Sequence, residues 1–134
     1  MKKTLTLLIC LICYQILCHA QVADEHYYFK NLSVQNGLSQ NTVNTILQDK
    51  QGFMWFGTKD GLNRYDGLSF RKFKHDDRSQ RSIGNNFITA LYEDEKGSIW
   101  VGTDVGLYIY YPEKDSFEHF TKQSVENTRI EHTV

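Results

Sequence analysis

Residues 49–67, DKQGFMWFGTKDGLNRYDG, set four glycines, three aspartates and a tryptophan within nineteen positions. Taken alone, the stretch suits either a charged site that grips a ligand or two tight turns around a short strand. A second copy decides between them: DEKGSIWVGTDVGLYIY stands at 94–110. Shifting the sequence by 45 aligns 41–66 with 86–111 without a gap, and nine of the 26 positions are identical. They are Asn41/Asn86, Asp49/Asp94, Gly52/Gly97, Trp55/Trp100, Gly57/Gly102, Thr58/Thr103, Gly61/Gly106, Leu62/Leu107 and Tyr65/Tyr110. The apolar pairs Val43/Ile88, Ile46/Leu91, Met54/Ile99 and Phe56/Val101 fall in the same register. An internal repeat of this period governs the fold.

Each copy divides into four short runs, at 43–48, 53–57, 62–65 and 69–75 in the first, separated by Asp/Gly-rich punctuation. Short runs rich in aromatic and β-branched residues between such turns predict strands joined by hairpins. After position 20 no segment sustains a helical period over three turns. The second run is apolar at three successive shared positions (54–56 and 99–101), so it is covered on both faces. Four antiparallel strands in about 45 residues, buried on both faces, predict a β-propeller blade. The expected fold is therefore all-β: two four-stranded blades plus partial flanking repeats, an incomplete propeller. The repeat runs on as F-x-x-F, at Phe70 and Phe73 and again at Phe117 and Phe120, with a two-residue insertion around 112–114.

The ends read differently. Lys2 and Lys3 precede an uncharged run at 5–17, and a small residue, Ala20, closes the exit. That is the pattern of a secretory signal peptide (1–20), too short to span a bilayer, with cleavage expected after Ala20. Lipidation at Cys18 is the competing reading, disfavoured because bulky Leu17 precedes it. All three cysteines, Cys10, Cys13 and Cys18, lie in this leader, so no disulfide or thiolate metal site is expected in the remainder. Without Lys2 and Lys3, 13 basic residues face 16 acidic ones, which argues against a nucleic-acid surface. Residues 21–40 read as a lead-in whose run at 27–32 would supply a ring-closing strand. Blades are expected at 41–85 and 86–127, and 128–134 reads as the start of a third copy, as a truncated gene or a fragment would leave it.

The lead-in NLSVQNGLSQNTVNTILQD followed by GFMWFGTKDGLNRYDG resembles the opening of the two-component regulator propeller, the periplasmic sensor region of bacterial hybrid two-component histidine kinases. The resemblance rests on Gly37-Leu38-Ser39, Val43, Ile46, Asp49, Gly52, Trp55, Gly57-Thr58, Gly61-Leu62 and Tyr65-Asp66, with Tyr111 replacing Asp66 in the second copy. It implies a longer protein with two propellers, an immunoglobulin-like connector, a membrane helix anchored in the inner membrane, a kinase core, a receiver and a DNA-binding output. It also implies a homodimer, an oligosaccharide ligand and a role in signal transduction by phosphorelay. This chain shows no kinase histidine box, ATP lid or second hydrophobic segment, so it is not expected to be an enzyme and needs no cofactor.

The signature residues read as framework. Asp49 and Asp94 would open turns completed by Gly52 and Gly97, because an Asp side chain bonds backbone amides two residues on. Trp55 and Trp100 would fill the gaps between blades rather than stack on sugar. Recognition would fall to unshared positions, Lys59, Asp60, Asn63 and Arg64. The basic run RKFKHDDRSQR (71–81) is interrupted by Asp76 and Asp77 and reads as a strand edge and inter-blade loop. His26, His75, His119 and His132 have no metal-ligand spacing, and no catalytic residue is assigned. A propeller enzyme, sialidase-like or lyase-like, is the alternative. Sialidase boxes, however, space D-x-G-x-x-W, one residue tighter than D-x-x-G-x-x-W here, and no arginine triad or set of catalytic histidines stands out. A free-standing interaction adaptor is the third reading. Two blades alone would leave two apolar outer faces, so residues 21–134 by themselves are expected to be molten or associated.

Overall fold

Each copy of the repeat folds into one four-stranded antiparallel sheet. The computed structural model describes residues 27–121. The first sheet holds β1 (Val43–Gln48), β2 (Met54–Thr58), β3 (Gly61–Tyr65) and β4 (Phe70–Phe73). The second holds β5 (Ile88–Glu93), β6 (Ile99–Thr103), β7 (Leu107–Tyr111) and β8 (Ser116–His119). Strand order follows chain order in both, β1-β2-β3-β4 and β5-β6-β7-β8, an open meander. A single 3₁₀ turn, Val34–Asn36, stands in the lead-in and ends on Gly37 at φ 108°. The chain is all-β, and its sheets are blades of a propeller with their edges unclosed.

Register explains the two-sided burial. Trp55 pairs with Leu47 and Arg64, and Phe56 pairs with Ile46 and Asn63. Side chains alternate along a strand, so Trp55, Leu47 and Leu62 share one face while Met54, Phe56 and Tyr65 share the other. The first face meets the second sheet: Trp55, Leu62 and Phe73 join Ile83, Ile88, Ile99, Val101, Tyr110 and Phe117 in one buried cluster. The opposite face of the first sheet is covered by the lead-in, where Leu38 is buried with Phe56 and Tyr65, and Leu32, Val43, Met54 and Phe70 pack around them. Gly57 lets the inner strands approach. A Cβ there would lie 2.6 Å from both Ile88 Cγ2 and Thr45 Cγ2, too close to accommodate without backbone movement.

Polar bonds stitch the same seam. Asn44, at a register shift in β1, donates to the Ile88 carbonyl (2.8 Å), and the Gly61 amide donates to Asn86 O (2.7 Å). Lys50 donates from its amide to Glu93 Oε2 (2.9 Å) and from Nζ to Asp94 O (2.7 Å). Both sheets lie in the unit Asn31–Val134. Residues 27–33 form no strand, so the ring-closing strand expected at 27–32 is not seen, since an isolated segment has no ladder partner to satisfy its backbone. The leader at 1–20, with its cysteines, and the third-copy start at 128–134 lie outside the described residues. Among the described residues no helix is long and apolar enough to cross a membrane.

Candidate functional site

The repeat signature is a latch. Asp49 follows β1, and its Oδ1 accepts the amides of Gln51 (3.0 Å) and Phe53 (2.9 Å), closing the turn into β2. Its other oxygen accepts the Trp55 indole N–H at 2.7 Å. Asp94 repeats this with Lys96 and Ser98 amides, both 2.9 Å, and Trp100 Nε1 at 3.0 Å. Gly52 and Gly97 take φ 91° and 83° within these turns, a region that side chains rarely adopt. The D-x-x-G-x-x-W spacing thus reflects one carboxylate bridging a turn and the tryptophan six residues on. Burial alone would raise the Asp94 carboxyl, but the donors from Trp100, Ser98 and Lys96 outweigh it and hold it below the ordinary range.

The other signature residues complete the next hairpin. Thr58 Oγ1 donates to Gly61 O (2.9 Å) and accepts the Asp60 amide (3.0 Å); Thr103 Oγ1 donates likewise to Gly106 O (2.9 Å). Leu62 is fully buried, whereas Leu107 is half-buried. Tyr65 donates its hydroxyl to Gly67 O, while Tyr110 donates to Asp115 Oδ1 (2.8 Å). Asp115 stands at φ 49°, a non-glycine residue in left-handed backbone, and its Oδ2 accepts from Arg71 of β4 at 2.6 Å. The Arg71 guanidinium and then the Tyr110 hydroxyl hold this carboxyl low. Burial and the Asp115 contact push the Tyr110 phenol up to about 12.

The four unshared positions do not form one recognition surface. Lys59 is exposed at the β2–β3 tip, and Asp60 beside it pairs with Lys74 (2.6 Å). Asn63 is fully buried, contrary to its reading as an open position. Its carboxamide accepts the Ser39 amide (2.9 Å) and donates to Ser39 Oγ (2.8 Å) and Phe56 O (3.2 Å). Arg64 lies over the Phe53 ring at 4.5 Å, with Trp55 at 5.8 Å, and is half-buried. The basic run is neutralised in place: Arg71 by Asp115, Lys74 by Asp60, Arg78 by Asp76 (3.2 Å) and His75 by Asp77 (2.7 Å). Among the described residues no three His, Cys, Asp or Glu side chains gather in a metal-binding group. His26 and His132 fall outside the described residues.

Antiparallel four-strand blades stacked through an Asp–Trp latch define the class, a repeat-built β-propeller. The repeats are those of the two-component regulator propeller family, whose model matches residues 37–60 and 82–105. Over 72% of its length the chain resembles the extracellular domain of a hybrid two-component system from B. thetaiotaomicron, at 38% identity and TM-score 0.64. The extracellular domain of a one-component system from the same organism aligns over 76% of the chain, at 27% identity and TM-score 0.56. Histidine kinase P4 of Formosa agariphila is 40% identical over 60 residues. The chain spans 14% of each of those structures and 4% of that kinase.

Proposed function

We propose that the chain is the opening part of an exported, periplasmic sensor propeller, which binds an oligosaccharide and transmits that state to a kinase module encoded elsewhere in a longer protein. The observation that supports it most is the pair of registered Asp–Trp latches in a chain similar to extracellular domains of two-component systems. The chain acts here as a binding scaffold, with recognition on the exposed loop tips around Lys59 and Asp104 rather than on the buried tryptophan Trp55. In the longer protein it is held at the inner membrane by a downstream helix and works as a homodimer. The test is titration calorimetry of the propeller-containing protein against polysaccharide fragments, with a downstream reporter read in parallel. Saturable binding and reporter induction by one oligosaccharide class is the expected result. Glycoside or lactone turnover by the same protein would replace the sensor with an enzyme.

A further inference from the structure

The molecule contains one complete inter-blade interface and both halves of a second. In the complete one, the face of the first sheet bearing Trp55, Leu47 and Leu62 receives the face of the second bearing Ile88, Ile99, Val101, Tyr110 and Phe117, with Ile83 among them. The 45-residue shift, 47 beyond the insertion, maps that incoming face onto Leu38, Val43, Met54, Phe56, Tyr65 and Phe70. This second set is the cluster on the far side of the first sheet. The same shift maps the receiving residues Leu47, Trp55, Leu62 and Phe73 onto Tyr92, Trp100, Leu107 and Phe120.

The inner strands show what each half lacks. Leu47 and Leu91 pack against the shared core where the sheets meet. Their counterparts, Tyr92 and Ile46, are 63% and 57% exposed. Each exposed residue is thus the repeat partner of one buried in the interface already formed. Trp100, Leu107 and Phe120 are likewise only half-buried, where Trp55, Leu62 and Phe73 are buried.

We infer that a second copy of this chain docks head to tail. The face carrying Ile46, Phe56 and Tyr65, with Leu38 already seated, packs on the face carrying Tyr92 and Trp100 of its neighbour. The contact is heterologous, so successive copies close a ring if the rotation per pair permits and otherwise extend. Stacked repeats bury their faces only against neighbours, and this chain supplies both matching faces. The inference concerns assembly and is independent of what the sensor binds.

Two surface variants test it, Ile46→Glu and Tyr92→Glu, both at exposed positions and therefore tolerated by the fold. Sedimentation velocity of the 134-residue chain across a concentration series is expected to show reversible association. Each variant alone should weaken that association by about tenfold or more. Mixing them restores one intact interface, since the Ile46→Glu chain keeps Tyr92 and the Tyr92→Glu chain keeps Ile46. The mixture should stop at a heterodimer. A wild-type chain that stays monomeric overturns the inference. So does an Ile46→Glu variant that associates as well as wild type, which would indicate a symmetric contact between Tyr92 faces, and so does a mixture that fails to pair.

Discussion

Trp55 and Trp100 occupy the same place in two copies of one repeat, and their indoles reach the same carboxylate at 2.7 and 3.0 Å. Yet Trp55 is 1% exposed while Trp100 is half-buried. The latch is local and comes with the seven-residue pattern. Burial comes from the neighbouring sheet, which stacks Phe73 and Tyr110 on Trp55 with ring centroids at 5.7 and 5.4 Å. Trp100 meets Phe120 of its own repeat at 5.0 Å. A repeat therefore specifies its turns by itself and acquires its core only from the next repeat.

The strongest way to break this comparison is to truncate both tryptophans. Trp55→Ala opens a cavity in the shared cluster and should cost about 3–5 kcal/mol, whereas Trp100→Ala should cost about 1–2 kcal/mol. Denaturant unfolding of both variants at one protein concentration measures the gap, since association would otherwise shift the midpoints. Equal losses would show that the two faces are equally covered in solution.

Glycines provide a second, smaller contrast. Gly57→Ala places a methyl 2.6 Å from Ile88 Cγ2 in the seam, an overpacking worth about 1–3 kcal/mol. Gly102→Ala meets only Ala90 Cβ and Thr89 Oγ1, both at 3.2 Å, so it should cost less than about 1 kcal/mol. The same unfolding measurement orders them, and a reversed order would mean that the β1–β5 approach is not the limiting contact.

Much of this was legible in the residues. The tryptophan register, the Asp–Gly turns and the strand punctuation appear in the sequence because local hydrogen bonds impose them at constant spacing. Asn63 was not legible, because burial of a polar side chain depends on a distant partner. In the first sheet Asn63 bonds Ser39, while in the second a tyrosine, Tyr108, stands at the same register beside Gly84. A Cβ on Gly84 would lie 1.9 Å from the Tyr108 hydroxyl, so the large residue requires the small one. The reciprocal exchange of Ser/Asn for Gly/Tyr between copies was the available signal. The Arg71–Asp115 bridge was hidden for another reason: Asp115 follows the insertion, where the repeat register is lost.

The latches themselves should respond alike. Asp49→Asn and Asp94→Asn each weaken charge-assisted bonds to two amides and an indole, and each should cost about 1–2 kcal/mol despite the different burial of their tryptophans. Unequal losses would show that the carboxylate acts through the neighbouring sheet as well as through its own turn.

The smallest expected effect separates the two plugging residues, Leu38 and Ile83. The Ile83 carbonyl lies 2.9 Å from His75 Nδ1, and His75 Nε2 lies 2.7 Å from Asp77 Oδ1. Both partners are acceptors, and a neutral imidazole can donate from only one nitrogen, so the doubly bonded ring is the imidazolium. The Ile83 carbonyl first, then Asp77, raise the histidine above its ordinary 6.5, and Asp76, itself paired with Arg78, adds to this. A histidine raised in the folded state contributes stability that is complete below about pH 6.5 and is lost as pH rises through the folded value. The wild-type chain should therefore lose a small increment of stability from pH 6 to pH 8 that His75→Gln lacks. Because this clasp holds the segment carrying Ile83, the loss should follow weakened protection of the Phe117 amide, which donates to Arg81 O at 2.9 Å. Hydrogen exchange at the two pH values, corrected for intrinsic rates, reads that amide directly. Unchanged protection would confine His75 to its own loop and leave Ile83 held by packing alone, as Leu38 is.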